Sequence, residues 1–312
     1  MEIQRTAIIG LGALGVMYGE RIAGQLGRDA VRIIADRQRI DRYKKDGVYC
    51  NGARCDFQYI DAGADNQEPA DLVIFSVKFN GLAAAMAAAA RQIGPQTLII
   101  SVLNGIVSED ILAETFGVDK VLYAVGQGMD AVKVGNQLQY DHIGWLSIGS
   151  PDAAAQEKVD RLARFFDRAG LPYDRPDDIL RHMWSKLMLN TGINQTIAVY
   201  EANYGAVQRE GEARQTMIAA MREVIAVARC RGIALGESDI EHWLHVIPTM
   251  NPESMPSMRQ DTLAGRPTEV DLFAGTIIKL GDEYGIPTPV NHFLYTRIRD
   301  IEQGRKPQLQ RE

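Results

Sequence analysis

The stretch TAIIGLGALGVMYGERIAGQ, residues 6–25, decides the fold of this chain. Residues 7–9 have the length and branching of a short buried strand, and apolar side chains after residue 15 recur at roughly helical intervals. Between them, Gly10, Gly12 and Gly15 match the pattern G-x-G-x-x-G. In a strand–turn–helix unit, the first glycine permits a tight turn, the second lets backbone approach a pyrophosphate, and the third lets helix and strand pack closely. The pattern therefore predicts a dinucleotide site, rather than a glycine-rich turn that binds nothing. The predicted cofactor contacts here are Gly10, Leu11, Gly12, Ala13, Leu14 and Gly15.

Length and composition are those of an ordinary globular enzyme. The 312 residues are 46% hydrophobic and 24% charged, enough for one large or two moderate domains. The net charge of -6 argues against nucleic acid or an anionic membrane as the main partner. No stretch approaches the roughly 20 apolar residues of a membrane helix. Because a strand begins almost at once, we expect no signal peptide and a cytoplasmic location.

The spacing of cysteine and histidine predicts neither a disulfide nor a metal site. Cys50, Cys55 and Cys230 are few and odd in number, so reduced thiols are expected. His242 and His245 share one face of a predicted helix, but no cysteine or carboxylate stands at motif spacing beside them. We expect both histidines to be surface or packing residues.

The first half of the chain alternates strand and helix patterns, as a parallel sheet with crossover helices requires. Further strands are predicted at residues 30–36, 70–78, 97–105, 120–126 and 144–150. Helices are predicted at residues 82–91, ended by Gly94 and Pro95, and at residues 153–170.

The pattern changes at PYDRPDD, residues 172–178, a stretch typical of a domain boundary. After it, helices are predicted at residues 179–200, 209–231, 237–247, 257–263, 268–284 and 290–303. We therefore expect an α/β protein with two domains. A Rossmann-like, doubly wound parallel sheet in residues 1–177 would bind the dinucleotide, and an all-helical domain in residues 178–312 would carry substrate and catalytic residues.

Polar residues end three of the predicted strands, where a doubly wound sheet places its ligands. Lys78 can meet a phosphate or the substrate, and Asn104 can hydrogen-bond a ribose or carboxamide; a solvated strand end is the alternative for each. Asp36 ends the second strand, about 20 residues after the glycines, as does the acid that binds the ribose of NAD. Arg37 and Arg39 follow at once and can hold a 2′-phosphate if Asp36 turns away.

A polar stripe marks the segment HMWSKLMLNTGINQTIAV, residues 182–199. Lys186, Asn190 and Asn194 are four residues apart and share one face of a helix whose other residues are largely apolar. Buried amides and ammonium groups are costly unless paired, so the stripe predicts a ligand-binding face rather than a solvated one. Further on, Thr268 and Asp271 have capping-box spacing, which would place Glu269 in a first helical turn without any functional role.

Together these residues resemble the ketopantoate reductase (2-dehydropantoate 2-reductase) family over essentially the whole chain. The matching segments are GLGALG, ADLVIFSVK, LNG, WSKLMLNTGINQTIAV and SMRQDTLAGRPTEVDLFAG. The resemblance implies reduction of 2-dehydropantoate to pantoate in pantothenate biosynthesis, with a nicotinamide cofactor. It also implies that Lys186 is the general acid, and that Asn190, Asn194, Ser257 and Glu269 bind or orient substrate. We predict that Lys186 and Glu269 are the catalytic residues. It further implies that Lys78 and Asn104 line the cleft of cofactor and substrate. With Arg37, they are the remaining predicted cofactor contacts.

The chain departs from the family pattern at three places on the substrate side. Gly81 replaces a glutamine, Pro256 replaces the first of two serines, and Tyr204 replaces an asparagine before a glycine. Reduction of another bulky 2-keto acid therefore stays open. A dinucleotide-sensing regulator is a further alternative, but it would not need a general acid.

The resemblance favours NADPH as the cofactor, because the family more often has arginine at the position of Asp36. The aspartate itself keeps NADH open. A homodimer is compatible with the sequence, which does not fix the oligomeric state.

Overall fold

The computed structural model describes residues 2–65 and 68–305 of a chain that divides into two compact units, Met1–Ile179 and Leu180–Glu312. The strands, all in the first unit, are β1 (Thr6–Ile9), β2 (Val31–Ala35), β3 (Tyr49–Cys50), β4 (Ala53–Arg54), β5 (Gln58–Asp61), β6 (Ala70–Phe75), β7 (Ile93–Ser101), β8 (Val121–Gln127), β9 (Val132–Val134), β10 (Gln137–Gln139), β11 (Trp145–Gly149) and β12 (Tyr173–Asp174). Its helices are α1 (Ala13–Leu26), α2 (Arg37–Asp46), α3 (Leu82–Ala89), α4 (Ser108–Phe116) and α5 (Gln156–Ala169).

The main sheet has eight strands in the order β12-β11-β8-β7-β6-β1-β2-β5. From β5 to β8 all neighbours are parallel, and β11 then pairs antiparallel with β8. Ile9 at the end of β1 lies opposite Ile34 of β2 and Phe75 of β6. The strand order reverses between β1 and β6, so their carboxyl ends form the switch point at which doubly wound sheets bind ligands. The predicted α/β, doubly wound sheet is confirmed.

Helices cover both faces of this sheet, which is why its central strands are apolar throughout. Ile8 of β1 belongs to the core that α1 and α5 complete, including the buried Phe165 and Phe166. Its neighbours Ala7 and Ile9 belong to the core completed by α3 and α4. Successive strand residues point to opposite faces, so one short apolar run serves both cores.

Several predicted boundaries are wrong, each for a local reason. The strands predicted to reach Lys78 and Asn104 end earlier, at Phe75 and Ser101. Gly94 and Pro95 lie within β7 instead of ending a helix. The pairing of β6 with β7 is irregular there, with a register shift between Ala70 and Leu72. A proline, which has no N–H to donate, is tolerated at such an irregularity.

Several elements are missing from the sequence predictions. The short strands β3, β4, β9 and β10 form a second sheet of four strands, in the order β4-β3-β10-β9. Helices α2 and α4 were not predicted either. The edge strand β12 adds part of the predicted boundary stretch to the main sheet through its pairing with β11.

The second unit is helical, and its described residues, 180–305, contain no strand. Its helices are α6 (Ile179–Val199), α7 (Gly205–Gln208), α8 (Glu212–Cys230), α9 (Glu237–Val246), α10 (Ser257–Leu263), α11 (Thr276–Tyr284) and α12 (Pro289–Glu302). The predicted helix at residues 268–284 begins late, with a π-helical turn at Asp271–Gly275 before α11. Helix α8 packs against α11 and α12. None of the described helices has both the length and the apolar character needed to cross a membrane.

Candidate active site

Two of the three fingerprint glycines are required by the packing of the first unit itself. Gly10 has φ of 100°, and a Cβ added to it would lie 2.4 Å from the carbonyl oxygen of Ser76. A Cβ on Gly15 would lie 1.9 Å from the carbonyl oxygen of Gly10. Both distances are far below van der Waals contact, so the turn between β1 and α1 excludes any larger residue at these positions.

Gly12 is different, because no neighbouring atom requires it to be glycine. Its φ of -68° suits any residue, and an added Cβ would lie 3.6 Å from the nearest atom, the Ser76 carbonyl oxygen. Gly12 is also the N-cap of α1, and no side chain caps that helix end. A helix N-terminus with space above a glycine fits an anionic group such as a pyrophosphate. The turn therefore fits the phosphates of a dinucleotide.

Asp36 lies at the carboxyl end of β2, where its carboxylate serves the next helix. It caps α2 by accepting a hydrogen bond from the Arg39 backbone N–H at 2.8 Å, and it pairs with the Arg39 guanidinium at 3.3 Å. Arg37 pairs with Asp41 at 3.2 Å, and its side chain is exposed. The Asp36 carboxylate, predicted as a possible ribose ligand, thus already binds the backbone and the guanidinium of Arg39.

Lys78 and Asn104 lie in the loops that follow β6 and β7, which are neighbours in the sheet. Lys78 is exposed, whereas Asn104 is partly buried. The loop of Asn104 is anchored by a buried polar trio that sequence reasoning missed. Ser101 Oγ lies 2.8 Å from Ser108 Oγ, which donates to Glu109 Oε2 at 2.9 Å. No local pattern signals it, because Ser101 and Ser108 lie on different elements, at the end of β7 and the start of α4.

In the second unit, Lys186, Asn190 and Asn194 lie on α6 as predicted, and the helix around them is mostly buried. Lys186 and Asn190 are partly buried, and Asn194 is 7% exposed. These three side chains share one face of a mostly buried helix, which makes the stripe a candidate ligand-binding face.

Ser257 and Glu269 lie on other segments of this unit. Ser257 is the first residue of α10 and is exposed, while Glu269 is partly buried and precedes the π-helical turn. Helix α6 contacts that turn, because Gln195 Oε1 accepts a hydrogen bond from the Ala274 N–H at 2.9 Å. A hydrogen bond within the second unit therefore connects the helix that carries the stripe to the turn that follows Glu269.

The predicted capping box of Thr268 and Asp271 does not form. Thr268 donates from both its N–H and its hydroxyl to Glu302 Oε1 on α12, at 2.7 Å each. Asp271 accepts from the Tyr295 hydroxyl at 2.9 Å and pairs with Arg299. The capping box is absent because α12 supplies both residues with stronger hydrogen-bond partners than they could supply to each other. Glu269 therefore lies between two residues, Thr268 and Asp271, that are bound to α12.

The Glu302 clamp predicts a pH-dependent stability. Burial alone would raise the pKa of Glu302, but hydrogen bonds from Thr268 and Arg299 outweigh it and hold the pKa below the usual range. Such a carboxylate stabilises the fold above its unfolded pKa of about 4.3, and this contribution is lost as pH falls through the lower folded pKa. We expect Glu302→Gln to lower Tm by about 2–4 °C at pH 7, and the difference to shrink at about pH 3. Calorimetry at both pH values, with the exposed Glu283→Gln as control, checks this; an equal loss at both would contradict it.

No cluster of three or more metal-ligating side chains occurs among the residues that the structure describes. His245 Nδ1 lies 2.7 Å from the Glu241 carbonyl oxygen, and His242 packs edge-on against Trp243. The two histidines thus have local structural contacts.

Families of known proteins match most of the length of this chain. Residues 6–152 match the family described as ketopantoate reductase PanE/ApbA, and residues 178–302 match its C-terminal domain. A 2-dehydropantoate 2-reductase of Archaeoglobus fulgidus is 28% identical over 305 residues, covering 97% of this chain and 100% of that protein.

Solved structures agree with the fold. The PanE/ApbA family ketopantoate reductase of Ralstonia eutropha has a TM-score of 0.82 at 28% identity, over 96% of this chain and 99% of that one. D-mandelate dehydrogenase, solved with NADH and anilino(oxo)acetate, has a TM-score of 0.86 at 22% identity, over 96% and 98%. The chain belongs to the ketopantoate reductase PanE/ApbA family of NAD(P)-dependent oxidoreductases.

Proposed function

We propose that this protein reduces 2-dehydropantoate to pantoate with NADPH, and that Lys186 is the general acid. The observation that carries the proposal is the polar stripe of Lys186, Asn190 and Asn194 on a helix that is otherwise mostly buried. A partly buried ammonium beside two amides is suited to a developing alkoxide, which needs a proton and a compensating charge.

In the proposed reaction, the cofactor supplies the hydride and the protein supplies the proton. When bound, the reduced nicotinamide supplies a hydride to the ketone carbon. As that C–H bond forms, the carbonyl π electrons move to oxygen, and Lys186 Nζ transfers a proton to it. Lysine then regains a proton from water. Glu269 and the two asparagines would keep the ammonium charged and aimed, and Ser257 would hydrogen-bond the substrate carboxylate.

The choice of NADPH rests on the end of β2. Asp36 is engaged by its own helix, and the exposed pairs of Arg37 and Arg39 are each worth at most about 1 kcal/mol, so a phosphate can replace them at little cost. We expect kcat/KM to be higher with NADPH than with NADH. Arg37→Ala should raise KM for NADPH about 10- to 100-fold, because a charge-assisted hydrogen bond contributes about 1.5–3 kcal/mol, and should leave KM for NADH unchanged.

Steady-state kinetics with both cofactors measure this preference. Lys45→Ala, an exposed cation in the last turn of α2, is the matched control. A clear preference for NADH in the unmodified protein would refute the assignment.

Substrate selectivity gives a second test. Pantoate's precursor carries a hydroxymethyl arm, which Asn190 or Asn194 can bind. A site built around a hydroxyl rejects an analogue that lacks it, because its own amides are left unpaired. We expect kcat/KM for 2-dehydropantoate to exceed that for 2-ketoisovalerate by at least about tenfold. Asn→Ala variants measured with both substrates form cycles that identify the amide in contact with the arm.

A second candidate substrate class, an aromatic 2-keto acid, is favoured by Tyr204. Its side chain is partly buried, and burial raises the pKa of its phenol. Its N–H donates to the Ser254 carbonyl at 3.0 Å, three residues before Ser257. D-mandelate dehydrogenase, which has a similar structure, is named for an aromatic 2-hydroxy acid, the reduced form of an aromatic 2-keto acid. If an aromatic keto acid is reduced as well as 2-dehydropantoate, the second candidate replaces the first. Absence of cofactor oxidation with every keto acid would favour a dinucleotide sensor instead.

A further inference from the structure

The segment after Glu269 enters its helix through a π-helical turn. Within Asp271–Gly275, the Gly275 N–H donates to the Val270 carbonyl at 3.0 Å, five residues back instead of four. Such a turn holds one more residue than an α-helical turn. Because each residue of an α-helix rotates the chain by about 100°, the extra residue changes the direction in which the preceding residues point.

The π turn takes the usual acceptor away from Ala274. In an α-helix its N–H would donate to Val270, but the Val270 carbonyl accepts from Phe273 and Gly275. Ala274 is fully buried, and a buried N–H without an acceptor costs about 1–3 kcal/mol. The side chain of Gln195, also fully buried, supplies the acceptor: its Oε1 lies 2.9 Å from the Ala274 nitrogen.

The orientation of the Gln195 amide is itself fixed. Its Nε2 donates to the Thr191 carbonyl at 2.7 Å and to Asn291 Oδ1 at 3.4 Å. Asn291 Nδ2 in turn donates to Glu223 Oε2 at 2.7 Å, and Glu223 also accepts from the Val290 and Asn291 N–H groups in the first turn of α12. With the amide nitrogen occupied, the amide oxygen faces Ala274.

We infer that Gln195 is a positioning residue for Glu269, because its amide oxygen holds the π turn that sets the direction of the Glu269 segment relative to α6. The inference rests on the catalytic role proposed for Glu269. Gln195 follows Asn194 directly, and its amide oxygen contacts Ala274, so it acts on the site through the turn. Without its acceptor, Ala274 gains by donating to Val270, and the turn converts to α-helix with Glu269 displaced.

The first test is Gln195→Met, which keeps the side-chain length and removes the amide. We expect kcat for keto-acid reduction to fall about 10- to 100-fold, since a misplacement of about 1 Å can cost 10²-fold. KM and the dinucleotide Kd should change less than threefold. Gln195→Glu should restore most of the activity, because a buried carboxylic acid is neutral and keeps both the acceptor and a donor. Thr196→Val is the matched control, since this buried hydroxyl has no hydrogen-bond partner among the described residues.

A double-mutant cycle with Glu269→Gln separates this inference from the proposed function. If Gln195 acts through Glu269, Gln195→Met costs little in the Glu269→Gln background. Losses that multiply overturn the inference while leaving the role of Glu269 intact. A Glu269→Gln variant with full activity overturns the proposed role itself. If Gln195→Met does not fold, Gln195→Asn, one methylene shorter, takes its place. Hydrogen exchange of the unmodified protein needs no variant: we expect Ala274 to be protected, and exchange as fast as an exposed amide overturns the inference.

Discussion

Lys186→Ala is expected to lower kcat for keto-acid reduction by about 10²–10⁴-fold, the usual range for loss of a general acid. Lys186 is the only cation of the α6 stripe. The other two members, Asn190 and Asn194, carry neutral amides, which do not donate a proton to an alkoxide as an ammonium does. Tm and the dinucleotide Kd should stay close to those of the unmodified protein, because the side chain is only partly buried.

Two further variants make this result specific. Lys186→Arg keeps the charge but is a poor proton donor, since a guanidinium has a much higher pKa than an ammonium, so kcat should stay low. Lys279→Ala removes an exposed lysine of α11 and should change neither parameter. Single-turnover kinetics monitor the chemical step directly. A folded Lys186→Ala protein with near-normal turnover would remove Lys186 from the mechanism.

The parts of the fold that sequence predicts well are those with a long local pattern. The apolar run of β6 and the amphipathic run of α5 are examples, because burial on a sheet or against it constrains every residue of the element. The strands β3 and β4 have two residues each, too few to show any period. The local signal for them is the loop between them, because Asn51 and Gly52 have φ of 47° and 82°, as a two-residue hairpin turn requires.

The same limit applies to the candidate site, where contacts between distant segments are not predicted from the sequence. Gly12 and the α6 stripe follow from spacing within one turn or one helix. The partners of Thr268 and Ala274 do not, because Glu302 is 34 residues from Thr268 and Gln195 is 79 residues from Ala274. The capping role of Asp36 is intermediate: an aspartate directly before a helix is a recognised N-cap, and that signal was available. A hydrogen bond can thus be predicted from sequence where both of its partners lie in the same turn, strand or helix.

Gly12 provides the test with the sharpest structural contrast. Gly12→Ala should leave the fold intact, because the added Cβ meets no atom closer than 3.6 Å and φ is ordinary, while Gly15→Ala should destabilise it, with a Cβ 1.9 Å from a carbonyl oxygen. Overpacking of that kind typically costs about 1–3 kcal/mol or more. The alanine at position 12 would instead occupy the space above the α1 N-terminus and cost one charge-assisted hydrogen bond to phosphate, so we expect the dinucleotide Kd to rise about 10- to 100-fold.

Gly24→Ala, in an exposed part of the same helix, is the control for both variants. Its Cβ would lie 3.8 Å from the nearest atom, and the change should stabilise α1 by about 0.5–1 kcal/mol without altering cofactor affinity. Thermal unfolding and cofactor fluorescence titration, made on the same samples, separate stability from binding. Unchanged affinity in a stable Gly12→Ala protein would show that the space above Gly12 holds no phosphate, since a methyl group and a phosphate oxygen cannot both lie against that backbone.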